Sequence, residues 1–375
     1  MLKEFPLDTD MLLEVVNRLN VGVYVTDTRR RIVLWNEKAE EITGYSAQQV
    51  VGTACWDNLL QHIDQHGHQL CTTTLCPLSR AMEKNAETGE AVLVYAKKAD
   101  GRRVAVSVTA APLHDAEGKV IGGIETFRDE SSRVANMEVA GKIQRHQMPR
   151  ALPQVGQIAF DVRYYPRDLV GGDFYDVFEL PGGRYAFLVA DVQGHGVAAA
   201  LYTMWLKNLE ANLAERAGDP SGFVGALNRL LSRILVPGSF ITGIYGVVDP
   251  AGAEVTYTNA GHPPPFLYHG DRGEAEELDS HGLPLGVSPE EPYSSSSVSL
   301  EPGDVLLAYT DGVTDVADSE GRMLETEGLR CELAEAISHG REDLLERIYR
   351  RVLDYSAEVS LSDDLLLLSI SREAR

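Results

Sequence analysis

Apolar and polar positions follow one rhythm in the first third of the chain and another in the rest. "VGVYVTD" and "RIVLWN" alternate as a strand pair around the polar turn Asp27–Arg30. "EKAEEITGY" reads as a short helix stopped by Gly44. Residues 90–129 then carry three strands joined by turns at Asp100-Gly101 and Glu117-Gly118. Together these predict a small α+β domain over 10–129. "DESSRVANMEVAGKIQRHQMPRALP" spaces Val134, Met137, Ala140 and Ile143 at helical intervals. Ser131 or Ser132 is placed to cap that helix, and Pro149 and Pro153 end it, which predicts a linker over 130–149.

From 150 to 375 the pattern becomes many strands with helices in pairs. The strand candidates are "IAFDVRYYP", "GGDFYDVFEL", "GGRYAFLVADV", "FITGIYGVVD", "AEVTYTNAG", "PPFLYHG", "GDVLLAYTDGV" and "DDLLLLSI". Helical spacing covers 197–215, 221–236, 325–338 and 341–356. That order predicts stacked sheets flanked by helices, so the whole chain is α+β.

Composition narrows the class without naming it. At 375 residues the chain holds two or three cores, and 44% hydrophobic with 24% charged residues is ordinary for a globular protein. A net charge of −22 argues against nucleic acid as a partner. No apolar run reaches membrane-spanning length, and "MLKEFPLDTDMLLEVV" lacks the order of a signal peptide, so a cytoplasmic protein is expected. Four cysteines fit a reducing compartment without disulfides.

Two groups of residues carry candidate chemistry. In "CWDNLLQHIDQHGHQLCTTTLCPL", Cys55, Cys71 and Cys76 accompany His62, His66 and His68. Soft thiolates and imidazoles suit zinc, an iron–sulfur cluster or haem iron. Their spacing matches no closely paired cysteine signature, so half-buried structural cysteines are the other reading. The second group is acidic. Asp173 lies in "GGDFYD", Asp191 ends "YAFLVAD", Asp311 ends "VLLAYTD", and Asp363 and Asp364 open the last apolar strand. Aspartates gathered at strand ends call for shared cations or solvent. Carboxylates without neighbouring Cys or His suit Mg2+ or Mn2+.

Residues 10–129 resemble a PAS domain, on "VYVTDTRRRIVLWNEKAEEITGYSAQQVVG" and the three closing strands. The resemblance implies a signal-input or dimerisation module that binds a small ligand or cofactor. Residues 142–370 resemble the bacterial SpoIIE/RsbU-type serine/threonine phosphatases, relatives of protein phosphatase 2C (the PPM class). The motifs are "IQRHQMP", "VGGDFYDV", "ADVQGHGVAAAL", "NAGHPPPFLY", "GLPLGV", "LLAYTDGVTDV" and "SDD", in that order. This second resemblance implies an α-β-β-α sandwich of two antiparallel sheets. It implies Asp173 and Asp191 as the catalytic acids on a pair of metal ions, with Asp191 bridging and the Val192 carbonyl on one ion. Asp311 and Asp363 complete the ligands, with Asp364 as the alternative to Asp363. Water made acidic by the two ions would attack phosphorus in line, without a phospho-enzyme. The expected substrate is a phosphoserine or phosphothreonine on a STAS-domain anti-sigma factor antagonist, and the expected assembly is a homodimer through the PAS domain or linker.

One motif position departs from the family: Leu366 stands where it carries threonine. "GGDF" also occurs in diguanylate cyclases, yet the downstream acids fit the phosphatase order. The remaining alternative is a catalytically inactive phosphatase-like regulator that binds its partner without turnover. His195 and Asp176 lie near the acids in sequence without an assigned role, and His262 is read as structural.

Overall fold

The structure, a computed structural model, describes residues 8–373 except 58, 65, 66, 74, 90, 150, 279–281, 319 and 357–361. It divides into two units, Met1–Asn136 and Met137–Arg375.

The first unit opens on helix α1 (Thr9–Asn17), capped by the Asp8 carboxylate, which accepts from the Met11 amide at 2.9 Å. Strands β1 (Gly22–Asp27) and β2 (Ile32–Trp35) form the expected pair. Helix α2 (Glu37–Thr43) follows. Asn36 caps its start, and Gly44 ends it in the left-handed region at φ 77°, where glycine carries no Cβ penalty. Two short helices, α3 (Ala47–Val50) and α4 (Pro77–Lys84), precede β3 (Val92–Lys97), β4 (Arg103–His114) and β5 (Val120–Asp129). The sheet order is β2-β1-β5-β4-β3. Its inner face buries Tyr24, Trp35 and Phe127 as a cluster of tilted rings.

Helix α5 (Ser131–Gln147) begins one residue earlier than a serine cap allows: Asp129 accepts from the Ser131 amide at 2.8 Å, and both serines lie within the helix. The apolar stripe is also displaced. Ile143 is exposed, whereas Gly141, Gln144 and Met148 are buried. Gly141 lies close to the Leu169 carbonyl, a contact that no larger residue permits.

The second unit is a sandwich. Strands β6 (Gln154–Val155), β7 (Ile158–Tyr165), β8 (Asp173–Leu180) and β9 (Arg184–Val192) lead into helices α6 (Val197–Asn212) and α7 (Pro220–Leu231). Then come β10 (Ile241–Asp249), β11 (Glu254–Ala260), β12 (Phe266–His269), β13 (Glu274–Glu277), β14 (Ser296–Ser299) and β15 (Val305–Tyr309). Helices α8 (Glu325–Ser338) and α9 (Leu344–Tyr355) precede the final strand β16 (Leu365–Arg372). One antiparallel sheet runs β14-β11-β10-β9-β8 and the other β13-β12-β15-β16-β7-β6.

Strand alternation builds the layers. On β16, Leu366, Leu368 and Ile370 join the core shared with β8–β10, while Leu365 and Leu367 join the apolar layer under α8 and α9. The apolar side chains of α6 and α7 pack on the opposite sheet through Leu206, Phe223 and Leu227. The α-β-β-α order expected for 150–375 is therefore present. Leu366, the departure from the family motif, is wholly buried between the sheets.

Candidate active site

Asp173 begins β8 and Asp191 stands near the end of β9, and the two are direct cross-strand partners. Opposite residues of an antiparallel ladder project from the same face with Cβ atoms about 4.5–5.5 Å apart, where like charges repel. Asp311 follows β15 at the start of a 3-10 turn, and Asp363 and Asp364 immediately precede β16. The ends of the two sheets thus bring together all five acids singled out in the sequence. Asp173 feels Asp191, Asp364 and Asp311, and Asp191 feels Asp311, Asp363 and Asp364.

Burial and this repulsion act in the same direction. The Asp173 carboxyl is held well above the usual carboxylate range, chiefly by burial, and Asp191 is pushed up to about 7. Asp311 is raised too, by burial and by Asp315 and Asp363. One hydroxyl offsets this at Asp173: Thr310 donates to Oδ2 at 2.7 Å and itself accepts from the Leu366 amide at 3.0 Å. The backbone of the departing residue thus holds the threonine that holds Asp173.

The Asp363–Asp364 doublet divides its work. Asp364 is buried, and its carboxylate accepts from the amides of Arg167 at 2.7 Å, Gly172 at 2.5 Å and Asp173 at 3.4 Å. It ties down the loop leading into β8. Asp363 is half-buried, and its Oδ1 accepts from the Asp364 amide at 2.8 Å. The glycines before Asp173 make room for this arrangement. A Cβ on Gly171 would fall on the Tyr164 hydroxyl and the Asp364 carboxylate, and one on Gly172 would crowd the Val192 carbonyl at 2.9 Å. Gln144 of α5 clasps the same loop. Its Nε2 donates to the Gly171 carbonyl at 2.6 Å and to Thr203 of α6 at 2.9 Å, and its Oε1 accepts from the Gly171 amide at 3.2 Å. Thr310 and Gln144 were missed as functional residues, although both lie inside motifs quoted from the sequence.

Other candidates fall elsewhere. Asp176 lies on the opposite face of β8, paired with Lys207 of α6. His262 is buried, with Nδ1 2.9 Å from the Thr242 hydroxyl, and burial lowers it to about 3, so it stands as a neutral structural residue. His195 is exposed, 3.6 Å from Asp168.

In the first unit Cys55, Cys71 and Cys76 are buried free thiols. Arg30 donates to the Cys71 carbonyl at 2.9 Å and to the Cys76 sulfur at 3.7 Å, and the Cys71 sulfur accepts from the His62 amide at 3.0 Å. Burial raises all three thiols. His66 lies outside the described residues. Among the described residues no three Cys, His, Asp or Glu side chains close into a ready cation cage in either unit. The aspartates nevertheless fit divalent cations by chemistry: they are hard oxygen donors, mutually repelling, and every influence on Asp191 opposes ionisation.

Comparison with known proteins agrees with the geometry. The sequence profile of the SpoIIE family, described as Stage II sporulation protein E, matches residues 181–373, and a PAS-domain profile matches 20–132. The chain belongs to the SpoIIE family. It carries that family's PP2C-type phosphatase domain behind a PAS domain. Phosphoserine phosphatase RsbU of Bacillus subtilis (strain 168) is 28% identical over 239 residues, covering 64% of this chain and 70% of RsbU. Phosphoserine phosphatase RsbP of the same organism is 32% identical over 183 residues, covering 48% of this chain and 45% of RsbP. Among solved structures, the SiaA-PP2C domain of Pseudomonas aeruginosa is 25% identical with a TM-score of 0.57, covering 65% of this chain and 98% of that one. The RsbU and RsbW domains of a Mycobacterium tuberculosis protein are 29% identical with a TM-score of 0.50, covering 59% and 62%. The SpoIIE match begins after Asp173, so the placement of that residue rests on its pairing with Asp191.

Proposed function

We propose that this SpoIIE-family member is a divalent-cation-dependent protein phosphatase that removes phosphate from serine or threonine of a regulatory protein under control of its PAS domain. The observation that carries the reading is the direct cross-strand pairing of Asp173 with Asp191. A fold gains nothing from a buried carboxylate set directly opposite a half-buried one unless cations offset the repulsion. Asp173, Asp191, Asp311 and Asp363, with the Val192 carbonyl, would hold two ions, Mg2+ or Mn2+. Asp364 serves them from behind by fixing the loop.

Bound divalent ions supply positive charge against the phosphoryl oxygens and lower the pKa of water, which is what phosphomonoester hydrolysis needs. The chain's own residues do the positioning. Thr310 fixes the orientation of Asp173, Asp364 and Gln144 fix the loop before it, and the sheets behind exclude water from the acids' inner side. The acidity of the site leaves phosphate unattractive until cations are present, so catalysis and substrate binding share one requirement.

Two matched relatives are named phosphoserine phosphatases, which supports a phosphoserine or phosphothreonine substrate. A STAS-domain anti-sigma factor antagonist is the substrate we infer, with a homodimer through the PAS domain or α5 as the working assembly. No helix among the described residues is long and apolar enough to cross a membrane.

The test is hydrolysis of an aryl phosphate by the full chain with Mn2+, with Mg2+ and with chelator. Turnover that requires cation and falls at least about a thousandfold in Asp191→Asn is expected, since a carboxylate that would hold the cations is lost. A folded, cation-saturated chain without turnover on aryl phosphate or phosphoprotein would replace this reading with that of an inactive partner-binding regulator.

A further inference from the structure

Two adjacent tyrosines end β7, and they are satisfied differently. Tyr165 donates to Glu346 Oε2 at 2.7 Å and stacks on Tyr349. Tyr164 turns the other way, into the layer between the sheets, where it stands opposite Leu366 of β16 and packs on the central core. Its hydroxyl oxygen is buried and has no hydrogen-bond partner among the described residues. A buried hydroxyl left unpaired costs desolvation free energy that phenylalanine, of nearly the same shape, would avoid. Such a group calls for a state of the molecule in which it is used.

The orphaned donor faces the acid cluster. A Cβ on Gly171 would fall on the Tyr164 hydroxyl and the Asp364 carboxylate alike, so the two groups confront each other across the glycine. Burial keeps the hydroxyl protonated, Asp364 and Asp173 act in the same direction, and Arg145 of α5 opposes them. A proton is therefore there to be donated. A carboxylate offers about four acceptor positions. On Asp364 the amides of Arg167, Gly172 and Asp173 take three of them. One donor and one acceptor position thus remain on either side of Gly171.

We propose that Tyr164 is a positioning residue of the cation site, whose hydroxyl donates to Asp364 when divalent cations are held by the neighbouring aspartates. This rests on the cation-dependent reading above and adds a residue to it. Asp364 is joined covalently to Asp363 and bonded to the Asp173 amide, so cations on those two aspartates shift Asp364 with them and close the pair. The new bond fixes the β7–β8 loop at the same glycine that Gln144 holds from α5. Tyr164 touches no substrate and acts only through Asp364.

The experiment uses full chains: wild type, Tyr164→Phe, Asp364→Ala and the double variant. Each is melted with and without Mn2+ and titrated with Mn2+ in a calorimeter. Without cation, Tyr164→Phe should melt at or slightly above the wild-type temperature, since it removes an unpaired buried hydroxyl. Its Mn2+ affinity should nevertheless fall about tenfold, as happens when a partner behind a metal ligand is lost. The rise in Tm at a fixed Mn2+ concentration should shrink accordingly. In the Asp364→Ala background the same change should leave Mn2+ affinity unaltered, because the pair is already broken. Unchanged Mn2+ affinity in Tyr164→Phe would overturn the proposal. So would a lower Tm without cation, which would show the hydroxyl already bonded in the free chain, or a further tenfold loss in the double variant. Aryl phosphate turnover of wild type separates this from the phosphatase reading. Mn2+ binding that depends on Tyr164, with no turnover, would sink the phosphatase and keep the positioning role; a folded wild type that binds no cation would overturn both.

Discussion

Asp363 and Asp364 are neighbours of the same type, yet one faces the acid cluster half-buried and the other spends its carboxylate on three backbone amides. Removing each should therefore have a different signature. Asp364→Ala leaves those amides buried and unpaired at a cost of several kcal/mol. For a unit of this size that is a fall of about 5–10 °C in Tm. Asp363→Ala should leave Tm within a degree or two of wild type while abolishing cation binding, because it relieves repulsion and removes an oxygen donor. Thermal melts paired with isothermal titration of Mn2+ separate the two. Equal losses of stability would show that the doublet shares one structural role.

At the scale of elements, α5 is fastened to the active-site loop by one side chain. Gln144 makes two bonds to Gly171 and one to Thr203, so helix and loop move together. Gln144→Ala should cost about 1–3 kcal/mol of order in that loop. Cation affinity should weaken about tenfold, with kcat on aryl phosphate falling alongside, since Asp173 is only two residues from the freed glycine. The conservative Gln144→Asn, too short to reach both groups of Gly171, should behave like alanine. Undiminished Mn2+ affinity in both variants would mean that Asp364 and Thr310 suffice to hold Asp173. The apolar periodicity of α5 pointed to Ile143 as buried; the close approach of Gly141 to Leu169 rotates the helix so that Gln144 is buried instead.

For the molecule as a whole, buried carboxyls in both units are raised and so lose stability as pH rises. In the first, Glu125 on β5 is buried, and burial raises it to about 8 against the opposing hydrogen bond from the Tyr24 hydroxyl. It is surrounded by the Tyr24 hydroxyl, His62 at 4.0 Å and the thiols of Cys55, Cys71 and Cys76, so no fixed cation compensates its ionised form. The folded state therefore keeps a proton that the unfolded chain releases near 4.5. Stability from this group is complete below about pH 4.5, declines as pH rises, and is lost once the folded carboxyl ionises above about 8. Glu125→Gln cannot ionise, so calorimetry of the full chain at pH 5 and pH 8 should show a smaller difference in Tm than wild type. An identical difference would mean that Glu125 is ionised in the folded unit.

The sequence alone was enough for the α+β class, the main strands of both units and the order of the acidic motifs, because apolar alternation and glycine turns are local properties. It left out α1, α3 and α4 and the short strands β6, β13 and β14, whose few residues carry too little periodicity. It also named all five aspartates, since each sits where an apolar strand begins or ends. Tertiary structure decided the rest: that Asp173 stands opposite Asp191, that Asp364 and not Asp363 ties the loop, that Thr310 and Gln144 support the site, and that Asp176 faces away under α6. Those facts depend on register between strands and on contacts between residues 27 to 197 positions apart, and no local pattern encodes them.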